Sequence, residues 1–170
     1  MTQKVNGGSS TYADNGSFFF QAHPIDEVGV NERVARFNSR SIKKETKMSG
    51  LKLAMSMIDL TTLEGADTEG KVHQLCNKAM HPYEQNKDIP TVAAVCVYPT
   101  FVGYAKKCLQ GSNIQVASVA TAFPAGQAPI EVKLEDTKYA VDQGADEVDM
   151  VISRGEFLKG EYRMVFDEIA

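Results

Sequence analysis

No apolar run in this 170-residue sequence approaches the ~18 residues that a membrane-spanning helix needs, so no membrane association is expected. The N-terminus does not have the basic-then-apolar order of a secretory signal. Asn15-Gly16-Ser17 therefore has the pattern of a glycosylation acceptor without the compartment, and a cytoplasmic location is expected. Cysteine is scarce. Cys76, Cys96 and Cys108 are odd in number and match neither a disulfide framework nor zinc-ligand spacing, which leaves reduced thiols. His73 and Cys76 would share one helix face, but two ligands without a second pair do not make a metal site. A dominant charge is lacking too. The net charge is −4, and the basic run from Arg36 to Lys47 is interrupted, so it reads as a solvated helix face and loop and implies no nucleic-acid partner. The Gly-x-Gly-x-x-Gly fingerprint of dinucleotide-binding sheets is absent. No histidine falls near a strand C-terminus, which argues against a Ser-His or Cys-His hydrolase.

What is present describes a globular domain. Hydrophobic residues make up 43% and charged residues 24%, and the length suits one domain with a real core. Residues 1–22 are rich in Gly, Ser and Asn, and disorder is expected there. Phe18-Phe19-Phe20 interrupts that segment, either as a docking contact onto the domain or as a partner-binding patch. Residues 23–55 read as a helical extension. Asp26 can cap a helix with Val30, Val34 and Phe37 on one stripe, and a short helical stretch lies near Leu51 to Met55.

From residue 56 a rhythm sets in. Ser56 to Leu63, Thr91 to Tyr98, Ile114 to Ala122 and Glu147 to Ser153 read as strands, the second of them apolar enough for a parallel sheet buried on both faces. Thr68 opens a helix with Val72, Leu75, Cys76, Ala79 and Met80 on one stripe, and Thr100 caps another carrying Phe101, Ala105, Cys108 and Leu109. Pro129 suits the first turn of a helix that turns Ile130, Leu134 and Val141 inward, and Gly144 suits its left-handed end. Gly160 to Ala170 begins a fourth helix with Tyr162, Val165 and Ile169 aligned. Four βα units of about 30 residues each imply a parallel sheet covered by helices. Either a doubly wound open sheet or a (β/α)8 barrel fits. Eight such units would end at about residue 300, within barrel sizes.

The fourth strand carries the sharpest anomaly. In Glu147-Val148-Asp149-Met150-Val151-Ile152 a carboxylate stands in an apolar strand, and burying an unpaired charge costs on the order of several kcal/mol. Alternation sends Val148, Met150 and Ile152 to the helices and Glu147, Asp149 and Val151 to the interior. On the first strand Ile58 and Leu60 meet the helices, and Met57, Asp59 and Thr61 point inward. Either aspartate can pair with an interior Lys or Arg in a polar layer or do chemistry; the strand context favours chemistry for Asp149. Cys96 alone reads as a small core hydrophobe rather than a nucleophile.

Four segments are specific enough to carry a resemblance. They are Ile58-Asp59-Leu60-Thr61-Thr62-Leu63, Ala94-Val95-Cys96-Val97-Tyr98-Pro99, Val116-Ala117-Ser118-Val119 running into Phe123-Pro124-Ala125-Gly126, and Gly144-Ala145-Asp146-Glu147-Val148-Asp149-Met150-Val151. In this order and spacing they resemble the deoxyribose-phosphate aldolases, over residue 20 to the end. His23-Pro24 and Lys43-Lys44-Glu45 resemble the eukaryotic-type branch. The resemblance implies a (β/α)8 TIM barrel, with this chain covering the first four βα units as residues 56–170. It implies a class I aldolase that needs no cofactor and reversibly cleaves 2-deoxy-D-ribose 5-phosphate to glyceraldehyde 3-phosphate and acetaldehyde, in deoxyribonucleotide and carbohydrate catabolism. A homo-oligomer is a candidate assembly. The imine would form on a lysine of the sixth strand, with a second lysine on the seventh depressing its pKa. Asp149 would be the proton donor and acceptor. Asp59, Thr61 and Cys96 would line the substrate pocket, Asp59 orienting the lysine or a water and Cys96 having no required role.

The Lys-Thr-Ser-Thr-Gly segment that carries the family's imine lysine and the Gly-Phe-Lys-Pro-Ala-Gly-Gly segment do not occur in these 170 residues. Lys71, Lys78, Lys106, Lys107, Lys133 and Lys138 fall on helices and are expected to face solvent, with Lys159 in the loop before the last helix. The expectation is a chain with the proton relay but not the nucleophile, inactive alone. The alternative is a non-catalytic half-barrel that assembles with another chain through its open first and fourth strand edges. Alone, such a half-barrel is expected to be poorly stable.

Overall fold

A computed structural model describes residues 24–170. The disorder expected for residues 1–22, the role of Phe18–Phe20 and His23 lie outside the described residues. The described residues divide into two compact units at the Ser41–Ile42 junction. In the first, helix α1 (Glu27–Asn38) starts where Asp26 Oδ1 accepts a hydrogen bond from the Gly29 N–H at 3.0 Å, as the cap requires. Its stripe of Val30, Val34 and Phe37 is exposed.

The second unit opens with helix α2 (Lys44–Met55), which starts well before the short stretch expected near Leu51. The sheet follows: β1 (Asp59–Thr61), β2 (Ala94–Val97), β3 (Gln115–Val119) and β4 (Glu147–Asp149). All neighbours are parallel, and the spatial order is β1-β2-β3-β4. A doubly wound sheet reverses its strand order at a switch point. This sheet has no reversal, so the open-sheet alternative is excluded and the strands follow the winding of a barrel.

Helix α3 (Glu69–Met80) is capped by Thr68, whose Oγ1 accepts from the Lys71 N–H at 3.3 Å, and buries Val72, Cys76 and Ala79. Thr100 does not cap the next helix. It sits inside a 3-10 turn, Pro99–Phe101, because Pro99 can take the first position of a helical turn where no N–H is needed; α4 (Val102–Cys108) continues from there. Helix α5 (Ile130–Asp142) follows Pro129 and is ended by Gly144 at φ +96°. A short helix, α6 (Arg154–Lys159), precedes α7 (Tyr162–Ile169), so Lys159 closes a helix rather than lying in a loop. Six residues are too few for a periodic signal in sequence. Among the described residues no helix is long and apolar enough to cross a membrane.

The two sheet faces separate cleanly. Val95, Val97 and Val116 pack with Val72, Cys76, Ala79, Val102, Ala105 and Leu109 on the helix side, joined by Leu60. Ala94, Cys96, Ala117 and Val119 form the opposite face, with Leu63, Tyr98 and Phe123 against it. Alternate strand residues pointing to opposite faces produce this split directly.

Helix α5 corrects the sequence reading. Ile130, Leu134 and Val141 are exposed at 41%, 59% and 54%, while Lys133 at 2% and Ala140 at 0% face the sheet. Small Ala140 permits close approach, and the Lys133 ammonium finds acceptors: Nζ donates to Ser153 Oγ at 2.8 Å and to Glu168 of α7. Lys133 is thus buried and ion-paired, not solvent-facing, because its partner lies on an element that helical periodicity does not see.

Gly126 interlocks the loop after β3 with the exit of β4. Its φ is +69°, and a Cβ there would lie 2.8 Å from the Ile152 carbonyl oxygen and 2.9 Å from Val151 Cγ1. Gly126→Ala is expected to destabilise by about 1–2 kcal/mol from the left-handed backbone alone, with the overlap adding to it. Urea unfolding should show a lower midpoint at unchanged slope; an unchanged midpoint would contradict the reading.

Candidate active site

Thr61 lies beside Cys96 in the β1–β2 register, and Cys96 beside Ala117 in β2–β3. Ala117 pairs with Glu147 and Val119 with Asp149 in β3–β4. Asp59, Thr61, Cys96 and Asp149 therefore share the face opposite the helix core. Cys96 Sγ donates to Asp149 Oδ2 at 3.6 Å, a weak thiol hydrogen bond across β3. Thr61 Oγ1 donates to the Asp59 carbonyl at 2.9 Å, which orients its hydroxyl. Ala94 and Ala117 are the small residues of this face, and both are buried. Tyr98 and Phe123 stand at its C-terminal margin as an edge-on pair, 6.2 Å between centroids.

The electrostatics tie the four together. Burial foremost, then the Asp149 and Asp59 carboxylates, push the Cys96 thiol up to about 12, with the neighbouring Thr61 hydroxyl acting weakly in the other direction. Cys96 stays a protonated thiol at neutral pH and is no nucleophile. Asp149 is not the buried charge that its strand suggested. It is exposed, as are Asp59 and Thr61, and among the described residues neither aspartate has an ion-pair partner. Strand β4 is an edge strand among the described residues, with β3 as its one neighbouring strand. An accessible carboxylate at the end of a barrel strand can take up and return a proton through water.

The loops above are pinned by residues that sequence reasoning did not single out. Asp67 accepts from Thr62 Oγ1 at 2.9 Å, from the Glu64 N–H at 3.0 Å and from Lys71 Nζ at 2.9 Å, which fixes the exit of β1. The Lys71 ammonium foremost holds its carboxyl below the ordinary value, against desolvation. Its place one residue before the Thr68 cap was the one available signal. At the exit of β4, Glu168 accepts from the Ser153 N–H at 2.9 Å and from Ser153 Oγ at 3.0 Å, and Thr121 Oγ1 bonds the backbone of Val151. Arg154 Nη2 donates to the Pro124 carbonyl at 3.1 Å.

The profile of the DeoC/LacD family aldolases matches residues 53–170. The human deoxyribose-phosphate aldolase is 45% identical over 157 residues, covering 85% of this chain and 49% of the human protein. That of Mus musculus gives the same identity and coverage. The chain thus spans about half the length of the curated relatives it matches. A crystal structure of a Coccidioides immitis protein described as a deoxyribose-phosphate aldolase superposes with a TM-score of 0.61 at 30% identity, covering 69% of this chain and 43% of that one. A solved aldolase described as QR15 gives 0.58 at 26% identity, covering 67% and 47%. The sheet is therefore part of a TIM-type barrel.

Proposed function

This chain belongs to the DeoC/LacD family of aldolases, and from that premise we propose that β1, β2 and β4 carry the proton-handling part of a Schiff-base aldolase site for 2-deoxy-D-ribose 5-phosphate. The observation that carries the reading is the exposed Asp149 carboxylate beside the Cys96 thiol, on the face that also holds Asp59 and Thr61. Forming an imine requires a proton for the departing hydroxyl, and breaking the C–C bond requires removing one from the substrate hydroxyl. Asp149 would relay both through water. Asp59 would orient the reacting amine or that water, and Thr61 and Cys96 would line the pocket. The names of the relatives support a deoxyribose-phosphate substrate and an aldolase reaction. The proposed setting is cytoplasmic deoxyribonucleotide catabolism.

The nucleophile is the missing part. The buried Lys133 is locked to Glu168 on the helix side of the sheet and cannot serve, and the family's lysine segments are not among these residues. The 170-residue polypeptide, incubated with acetaldehyde and borohydride, is expected to show no stoichiometric lysine adduct by mass spectrometry. One adduct per chain at a single lysine would overturn this division of labour. A second reading follows from the edges of β1 and β4, which have no strand partner among the described residues: a non-catalytic half-barrel that closes on another copy. Light scattering that shows a clean monomer would count against it.

A further inference from the structure

Thr121 follows β3 with φ +60°, and so does Ala122. A β-branched residue in left-handed backbone is a steric outlier that persists only where its surroundings hold it. What holds Thr121 is the chain beyond Asp149. Its Oγ1 accepts from the Val151 N–H and donates to the Val151 carbonyl at 2.9 Å, and the residue is 6% exposed. The last bond of the β3–β4 ladder runs from the Ala120 N–H to the Asp149 carbonyl at 3.0 Å. At the next position the β3 chain turns away toward the loop of Gly126. One side-chain hydroxyl takes over both backbone groups of Val151 that a continuing strand would have bonded. The left-handed pair at 121–122 thus frees the loop from the sheet without releasing β4.

Among the described residues, β4 is three residues long and has β3 as its one neighbouring strand. The Asp149 carboxylate reaches Cys96 by a single 3.6 Å contact, so a small shift of the strand end removes it. We propose that Thr121 is a positioning residue: its hydroxyl, acting through Val151, fixes the end of β4 and keeps the Asp149 carboxylate against the Cys96 thiol. The value of that position for proton transfer rests on the function proposed above.

The test reads Cys96 rather than turnover. The rate at which iodoacetamide alkylates Cys96 in the whole chain is followed on the Cys96 peptide by mass spectrometry across the alkaline range. Asp149→Asn removes a charge that disfavours the thiolate and is expected to speed alkylation about tenfold by raising the thiolate fraction. Thr121→Val is expected to speed it by a similar factor, and so is Thr121→Gly, which also relieves the left-handed backbone and guards against a folding defect. Thr121→Ser, which keeps the hydroxyl, should retain the parental rate. Combined with Asp149→Asn, the Val and Gly substitutions should add nothing further. An unchanged rate in both variants would overturn the proposal. So would an equal acceleration with and without Asp149→Asn, which marks general loosening. Because no catalysis is read, the result stands or falls independently of the proton-relay role.

Discussion

Complementing this chain with the half of a related aldolase that carries the Lys-Thr-Ser-Thr-Gly and Gly-Phe-Lys-Pro-Ala-Gly-Gly segments is expected to produce aldolase activity, and Asp149→Asn is expected to lower its kcat by about 100- to 10,000-fold, the range for a general acid–base group. Asparagine has the shape of aspartate and its carbonyl can still accept from the Cys96 thiol, so the sheet face should stay intact. It cannot take up a proton at neutral pH. The loss should therefore fall on kcat, with KM little changed. Asp59→Asn, at the opposite edge strand of the described sheet, should have the smaller effect of an orienting group. An Asp149→Asn enzyme within roughly threefold of the parent would sink the relay role, since general acid–base catalysis contributes far more than that. Absence of any activity after complementation would instead count against the substrate assignment.

Replacing Lys133 with Met is expected to cost about 3–5 kcal/mol, the penalty for leaving one partner of a buried pair uncompensated. That is a large part of the roughly 5–15 kcal/mol that holds a domain together. Lys133 is 2% exposed, and the Glu168 side chain 9%. The ammonium also serves Ser153 Oγ, so its loss breaks a three-member network that joins α5, the β4 exit and α7. Lys133→Met with Glu168→Leu should be markedly less destabilising than Lys133→Met alone, because removing both charges removes the desolvation cost as well. Chemical denaturation of the three proteins checks this ordering; a double variant as unstable as the single would refute it.

The pair also sets a pH dependence. Burial raises the Glu168 carboxyl, but hydrogen bonds from Lys133 and Ser153 outweigh it and hold the group below its ordinary 4.5. A carboxyl depressed in the folded state adds stability above its unfolded value. That stability is lost as pH falls from about that value through the lower folded one. In the Glu168→Gln variant this acid-side slope should be reduced, which urea midpoints measured down the acidic range would reveal.

The period-two pattern of the strands determined which residues share a face. Asp59, Thr61, Cys96 and Asp149 fall together, opposite Leu60, Val95, Val97 and Val116, because alternation is a local property of extended backbone. The Thr68 cap, the Gly144 stop and the βα rhythm are local in the same sense, and with the four motifs they determined the family. The sequence by itself did not determine the surroundings of those residues. Strand order, and with it the barrel rather than the open sheet, exists only once strands pair. Asp149 looked like a buried charge in an apolar strand, and only the tertiary structure decided that it is accessible, beside a thiol rather than a cation. Lys133 looked like a solvated helix lysine until Glu168, 35 residues on, closed over it. Thr121 looked like the end of a strand until its hydroxyl met Val151, 30 residues away. Periodicity and capping act within a few residues along the chain, whereas burial, ion pairing and strain depend on partners that folding brings from a distance.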